Sequence, residues 1–466
     1  MKPNEDQVLT VIGAGPVGAL LALMLAQQGH RVQVFERRPD MRRHSISAGR
    51  SINLAVSTRG LHALRRVGLE QFVLDQAVPM LGRMMHAKDG QLSYLPYGRD
   101  ESEYINSMSR GELNKLLMNQ AEKTGRVQIH FEHSLQGYDL DTEIATVRDE
   151  QGRRDFAVQA PIIFGSDGSA SALRSALVDR AGVACSQSTL DAGYKELTML
   201  PQAVGAEAQP AGKFRLKPNA LHIWPRGKFM LIALGNPDGS FTCTLFLPFV
   251  AKGDSLGFDQ LHDRSSASAF FEEHFGDFVP HMPDLAEQFL AAPTGSMVTV
   301  KTSRWAHEAA LLIGDAAHAI VPFFGQGMNC GFEDVVVLAE MLQTHENWHE
   351  LFAAFSSTRK PNSDAIADMA VENFTEMRDK VADPEFLLHK AVEAELSRRM
   401  PGKYLSRYQL VTFSRVPYAI ALQAGLIQAE ILREVCLNAR VLTDVDLAAA
   451  QQMAEKRLLP FLAQHL

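Results

Sequence analysis

The sequence is poor in cysteine, in tryptophan and in concentrated charge. Its four cysteines, Cys185, Cys243, Cys330 and Cys436, lie far apart and form no CxxC pair and no zinc spacing. That excludes a disulfide scaffold or a zinc ribbon and suits a reducing compartment. Basic and acidic residues are mixed along the chain, at a formal net charge of -8. No Lys- or Arg-rich block offers a surface for a phosphate backbone, which argues against a nucleic-acid partner. Nowhere do about 18 uncharged apolar residues run together. The nearest case, VPYAIALQAGLIQA at 416–429, is short and broken by Gln423 and Gly425. The opening MKPNEDQVLTVIGAG lacks the layout of a signal peptide. The expectation is a cytoplasmic protein that does not span a membrane.

What is present is an ordinary globular composition, 46% hydrophobic and 21% charged, in 466 residues. That length predicts two or three domains. Residues 7–36 read as a βαβ unit: a β-type run Val8–Ile12, glycines, an apolar helix closed by Gly29, and a second run Arg31–Phe35. Hairpins are expected at 83–97, turning at Lys88-Asp89-Gly90, and within 143–168, turning near Gln151-Gly152 and followed by a buried strand PIIFGSDG. A helix is expected over 109–123, with Ser109 as N-cap and Glu112 completing a capping box. Strand periodicity dominates 190–250, helical patterns return over 255–290, strand-like pieces follow at 296–313, and after about 350 nearly everything reads as helix.

Three strand-to-turn sites carry the chemistry. The first is Gly13-Ala14-Gly15-Pro16-Val17-Gly18, with Glu36 at the end of the next strand. Glycines there let a backbone approach a pyrophosphate whose charge the helix N-terminus stabilises, and the acid accepts hydrogen bonds from an adenosine ribose. Glu36 in place of an arginine favours FAD or NAD over NADP at this site. The second is IFGSDGS at 163–169, where Asp167 alone would be read as a helix cap. The third is LLIGDAAHAIVPFFGQGMNCGFED at 311–334. Its apolar character predicts burial of Asp315 and His318, and its glycine turn leads into a helix from about Asn329 to Leu342. His318 is expected to be structural.

Together these three segments resemble the single-component, FAD-dependent aromatic hydroxylases. The resemblance implies one FAD spanning all three sites, held by Gly13, Gly15, Val17, Gly18, Glu36, Arg37, Ala55, Arg110, Asp167 and Asp315. Asp315 would hold the ribityl chain. Backbone N–H groups of Gly327, Met328 and Asn329 would face the flavin pyrimidine edge. RSINLAVSTRG at 50–60, ENFTEMRD at 372–379 and YQLVTFSRVPY at 408–418 tighten the match to particular members. By that resemblance Arg83 and Tyr97 bind a substrate carboxylate, Asn373 and Tyr408 complete the pocket, and Pro322 and Phe323 wall its aromatic end. Read from the residues alone, Arg83 at a hairpin edge is as readily a solvated surface charge.

The implied fold is α/β: a Rossmann-like FAD-binding domain (1–75, 100–180, 296–360) interwoven with a β-sheet substrate domain (76–99, 181–295), plus a C-terminal helical region (361–466). The implied reaction is aromatic hydroxylation with NADPH and O2 through a flavin C4a-hydroperoxide, with no metal. No second GxGxxG unit is present for the nicotinamide. Two rivals remain at this stage, a flavin hydroxylase for another aromatic acid and a non-catalytic FAD-binding module. The three tryptophans do not cluster as in flavin halogenases. Monomer and dimer stay equally open.

Overall fold

The computed structural model describes residues 7–43, 53–98, 100–202, 210–253, 255–376 and 383–465. Residues 50–52 and 377–379, at the ends of two of the family-like segments, fall outside these. The chain forms two compact units. One comprises 1–77, 108–190 and 297–367; the other comprises 78–107, 191–296 and 368–466.

The first unit is built on a six-stranded sheet. Strand Val8–Ile12 pairs in parallel with Arg31–Glu36 on one side and with Ile163–Gly165 on the other. Val127–Phe131 extends the sheet beyond Arg31–Glu36, and Ala310–Leu312 extends it beyond Ile163–Gly165. Parallel strands need crossover helices, which cover the faces and leave the strands buried. The first crossover, Pro16–Gln27, has Pro16 at its first turn and is apolar on nearly every side. It is accordingly buried, packed against helices Arg110–Lys123 and Gly327–Met341. The hairpin expected within 143–168 forms as strands Ile144–Asp149 and Arg154–Gln159, completed by His133–Asp139.

Ser109 caps helix Arg110–Lys123 through Glu112 N–H. The Glu112 carboxylate, expected to close the capping box, accepts from Lys115 Nζ at 2.9 Å instead. A lysine three residues on is a charged partner on the same helix face, which a backbone amide does not outcompete.

In the second unit, strands Cys185–Met199, Phe241–Pro248, Met230–Gly235 and Ala220–Pro225 run antiparallel in that spatial order. Ala220–Pro225 then pairs in parallel with Gly82–His86, which turns back into Leu92–Pro96. One face packs Leu197, Trp224, Leu231, Cys243 and Leu245 against helices Arg264–His274 and Leu285–Ala291. Side-chain alternation puts Arg83 and its register partner Leu221 on the other face. The C-terminal helices Pro384–Arg399, Arg407–Thr412, Tyr418–Cys436 and Leu447–Met453 pack on one another. Among the described residues no helix is long and apolar enough to cross a membrane.

Candidate active site

The three glycines of the first motif serve three purposes. Gly13 has φ +96°, and a methyl there would lie 2.7 Å from the Ser166 carbonyl oxygen. A methyl on Gly18 would lie 2.0 Å from the Gly13 carbonyl oxygen, so Gly18 lets the helix sit on the turn. A methyl added at Gly15 would meet nothing within 4 Å: this residue lines open space at a helix N-terminus, the kind of position that favours an anion. Ser166 locks the turn by donating its hydroxyl to the carbonyls of Ile12 (2.8 Å) and Gly13 (3.0 Å). Val17 is half-buried against the third motif; methyls added at Gly314 or Gly331 would meet its side chain at 3.1 and 2.7 Å.

Glu36 is buried at the end of its strand. One carboxylate oxygen accepts from Ala14 N–H at 2.8 Å, and the other accepts from Arg38 N–H at 3.0 Å and Arg38 Nε at 2.8 Å. Burial opposes its ionisation, but these donors outweigh it and hold the carboxyl below its ordinary range. A carboxylate has about four acceptor positions, so capacity for a ribose remains. Arg37 is exposed beside it.

Asp167 takes the capping position that its residue type suggests, accepting from Ala172 N–H at 2.7 Å. Its other oxygen is buried with no hydrogen-bond partner among the described residues, and burial pushes its pKa up. A cap alone does not explain that orphaned oxygen.

Asp315 corrects the sequence expectation. It is exposed, although Leu311–Gly314 and Ala316–Ala319 on either side are buried. It begins the short helix Asp315–His318, so its side chain leaves the core just where the strand ends. The helix of the third motif starts at Gly327, two residues earlier than expected, and runs to Met341. Its first intrahelical N–H is that of Cys330, bonded to the Gln326 carbonyl at 2.8 Å. The N–H groups of Gly327, Met328 and Asn329 therefore lie at the positive helix end, where the first donors of a helix have no intrahelical partner. The Asn329 side chain is fully engaged: Nδ2 donates to the carbonyls of Ala55 and Gly325, both at 2.8 Å, and Oδ1 accepts from Ser57 N–H at 3.0 Å. Only its backbone is left for a ligand. Arg110 is exposed at the start of its helix.

The fold also assembles an ionic cluster that sequence reasoning missed. Asp334 accepts from His318 Nε2 at 2.5 Å and Arg359 Nε at 2.8 Å. Arg359 also pairs with Glu333 at 2.9 Å, and Glu333 pairs with Arg59. All five side chains are buried. His318 is structural, as expected: it stacks on Trp305 at 4.7 Å and ties the Asp315 helix to the Gly327 helix. The sequence gives no sign of a His/carboxylate cluster, yet His318, Cys330 and Asp334 come within 4.8 Å of one another. They make a poor metal site. Both Asp334 oxygens are already held, and burial raises the Cys330 thiol well above its usual pKa, which keeps it protonated. The adjacent Glu333-Asp334 pair is the one available signal; Arg59 and Arg359 are too distant in sequence to be matched to it.

In the second unit, the hairpin register puts Tyr97 N–H on the Leu81 carbonyl at 3.0 Å, diagonal to Arg83. Tyr408 arrives from helix Arg407–Thr412 and stacks on Tyr97, with ring centroids 5.6 Å apart and planes at 13°. The Arg83 guanidinium lies 5.1 Å from the Tyr97 ring centroid and 4.9 Å from that of Tyr408. Arg83 Nε is buried and has no hydrogen-bond partner among the described residues. Burial opposes its charge, the phenols of Tyr408 and Tyr97 favour it, and the balance holds it above its ordinary pKa. No carboxylate pairs with it among the described residues, so the solvated surface charge that the bare sequence allowed is not what forms. Arg407 grips Glu372 at 2.7 Å and Glu376 at 3.3 Å, one residue before and three after the half-buried Asn373, and so holds that stretch beside the Tyr408 helix. Pro322 and Phe323 form a 3-10 turn in the first unit, leading into Gly325 and the Gly327 helix.

A family model described as "FAD binding domain" matches residues 5–204 and 274–370. Kynurenine 3-monooxygenase from Myxococcus xanthus is 50% identical over 466 residues, covering 100% of this chain and 98% of the relative. The protein of the same name from Xanthomonas axonopodis pv. citri is 43% identical, with 100% of both chains covered. Among solved structures, the tetrameric form of 2-methyl-3-hydroxypyridine-5-carboxylic acid oxygenase superposes with a TM-score of 0.63 at 20% identity, over 83% of this chain and 95% of that one. PqsL from Pseudomonas aeruginosa, in complex with 2-aminobenzoylacetate, gives 0.62 at 20% identity over 80% and 97%. At that identity these two establish the fold alone.

Proposed function

The chain belongs to the kynurenine 3-monooxygenase family of FAD-dependent aromatic monooxygenases, and we propose that it hydroxylates L-kynurenine to 3-hydroxy-L-kynurenine with NADPH and O2. The observation that carries the substrate is Arg83: a half-buried arginine beside two phenols, its Nε buried and without a carboxylate partner among the described residues. Such a cation is stabilised by an incoming acid group, and its planar fork matches a carboxylate.

The residues of the first unit fit FAD. Open space at Gly15 and the N-terminus of the Pro16 helix suit the pyrophosphate, and Glu36 suits the ribose. The exposed Asp315 suits the ribityl hydroxyls. Val17, Ala55, Arg37, Arg110 and Asp167 complete the proposed contacts. FAD supplies the electron transfer and oxygen activation that no side chain can. The protein's part is electrostatic and positional. N–H groups of Gly327, Met328 and Asn329 stabilise negative charge at the pyrimidine edge. Arg83 grips the kynurenine carboxylate, the Tyr97 and Tyr408 hydroxyls donate to it, and Asn373 adds a polar contact. Pro322 and Phe323 contact the aromatic end. Fixing the acid group fixes which ring carbon can react, a gain of orientation rather than of chemistry. One O2 and one NADPH are consumed with a proton; one oxygen atom enters the ring and the other leaves as water.

The test is NADPH consumption with and without L-kynurenine, with mass spectrometry of the product. A product heavier by one oxygen, formed only with NADPH, supports the reading. Stimulation by a different aromatic acid and not by kynurenine would replace the substrate; FAD content with no stimulated oxidation would leave a binding module.

A further inference from the structure

Helix Trp348–Thr375 ends against a local rule. Glu372 lies in its last turn, Glu376 follows directly after it, and that turn holds no basic residue. A helix C-terminus carries partial negative charge, and two acids four residues apart repel one another, so both features disfavour this ending. The missing cation comes from another segment of the same unit. Arg407 Nη1 donates to Glu372 at 2.7 Å, and Arg407 Nη2 donates to Glu376 at 3.3 Å.

The stem of Arg407 has its own seat. Gly425 is buried in the middle of helix Tyr418–Cys436, where glycine is a worse helix former than alanine. A methyl there would lie 2.4 Å from Arg407 Cδ, 3.0 Å from Cγ and 3.2 Å from Cβ, so the glycine leaves room for the arginine to cross. Three helices thus meet at one side chain: the end of Trp348–Thr375, the start of Arg407–Thr412 and the middle of Tyr418–Cys436. Helix Arg407–Thr412 has only six residues, too few to be stable by itself. Its start is fixed by a capping box between Ser406 and Gln409 and by Gln428 Nε2, which donates to the Leu405 carbonyl at 2.6 Å.

The junction carries two of the residues assigned to the acid group. Tyr408 directly follows Arg407, and Asn373 directly follows Glu372. The Tyr408 ring lies 5.6 Å from that of Tyr97 and 4.9 Å from the Arg83 guanidinium, so a shift of the Arg407 helix moves the phenol relative to Arg83. We propose that Arg407 is a positioning residue of the carboxylate pocket: it spans Glu372 and Glu376 across Gly425 and so fixes Asn373 and Tyr408 at the spacing that the substrate acid requires. It acts through these two residues and not on the substrate itself. The inference rests on the roles proposed for Arg83, Asn373 and Tyr408.

The experiment is steady-state kinetics of the FAD-loaded enzyme with L-kynurenine, alongside FAD content and thermal midpoint. Arg407→Met keeps a stem on Gly425 and removes the charge; KM rises about three- to tenfold, the scale of two partly exposed ion pairs, while kcat and FAD content hold. Arg407→Lys, with a point charge in place of the planar fork, recovers part of the loss. Gly425→Ala leaves every charge in place but displaces the stem, and it raises KM in the same way. In the Arg407→Met background, Glu372→Gln with Glu376→Gln adds no further rise, because the three groups act as one unit. Should Arg407→Met not fold, Glu372→Gln with Glu376→Gln in the otherwise wild-type chain takes its place. A purely structural role would lower the thermal midpoint and leave KM alone. KM unchanged in both Arg407→Met and Gly425→Ala, with Arg83→Ala raising it, would overturn the role of Arg407 and leave the pocket assignment standing. KM unchanged in Arg83→Ala would remove that assignment, and the role of Arg407 with it.

Discussion

Tyr97 and Tyr408, from opposite ends of the second unit's sequence, stack 5.6 Å apart with their planes at 13°, and Arg83 lies within 5.1 Å of both ring centroids. A guanidinium close to two aromatic rings is stabilised by their quadrupoles, but two phenols do not neutralise it. The cluster is poised for an anion.

Arg83→Ala removes that charge. Loss of a buried charge-assisted pair costs about 2–5 kcal/mol of binding. Kynurenine KM should rise steeply while FAD content, read from the flavin absorbance of the purified protein, stays as in the wild type. Unchanged kynurenine affinity would take Arg83 out of the site.

Tyr97→Phe and Tyr408→Phe keep the stacked rings and delete one hydroxyl each. A lost neutral hydrogen bond is worth about 1 kcal/mol. Each variant should weaken kynurenine binding by less than Arg83→Ala does, with thermal stability nearly unchanged. A loss as large as that of Arg83→Ala would mean that the hydroxyls do more than assist.

Gly15→Ala and Gly18→Ala should separate binding from folding. A methyl at Gly15 meets no protein atom within 4 Å, whereas one at Gly18 lies 2.0 Å from the Gly13 carbonyl oxygen. The Gly15 variant should fold with a wild-type circular dichroism spectrum and bind FAD poorly. The Gly18 variant should lose thermal stability as apoprotein. Equal FAD affinity in Gly15→Ala and wild type would argue against a pyrophosphate at that turn.

Asp315→Ala changes an exposed side chain, and such substitutions usually alter stability by about 0.5 kcal/mol or less. FAD affinity by fluorescence titration should fall while apoprotein stability holds. A large loss of apoprotein stability would instead mark Asp315 as a structural cap.

Asp334→Asn leaves Arg359 buried without its closer carboxylate. Breaking such a pair costs about 3–5 kcal/mol. Burial raises the Asp334 pKa and the His318 and Arg359 charges lower it, with a net shift downward. A depressed carboxyl adds stability that is complete above its unfolded pKa, about 3.9, and is lost as pH falls through its folded value. The wild type should therefore lose its advantage over Asp334→Asn in acid and keep it at neutral pH. Thermal midpoints at both pH values check this, and a constant gap would contradict it.

Much of this protein is determined locally by the sequence. The βαβ unit, the hairpins and the glycine turns follow from periodicity and from residues whose backbone preferences act over a few positions, and so do the three strand ends to which the cofactor contacts were attributed. What only the tertiary structure decided is which distant side chains share a dielectric environment. Asp315 turns outward against the expectation from its apolar neighbours, and Arg83, which the bare sequence left open between surface and pocket, has its Nε buried, because exposure depends on what packs there from elsewhere in the chain. The clusters Arg59–Glu333–Arg359–Asp334–His318 and Glu372–Arg407–Glu376 join segments tens to hundreds of residues apart. The energies of such charges are set by burial and by partners at about 3 Å, and neither quantity is written in the order of residues along the chain.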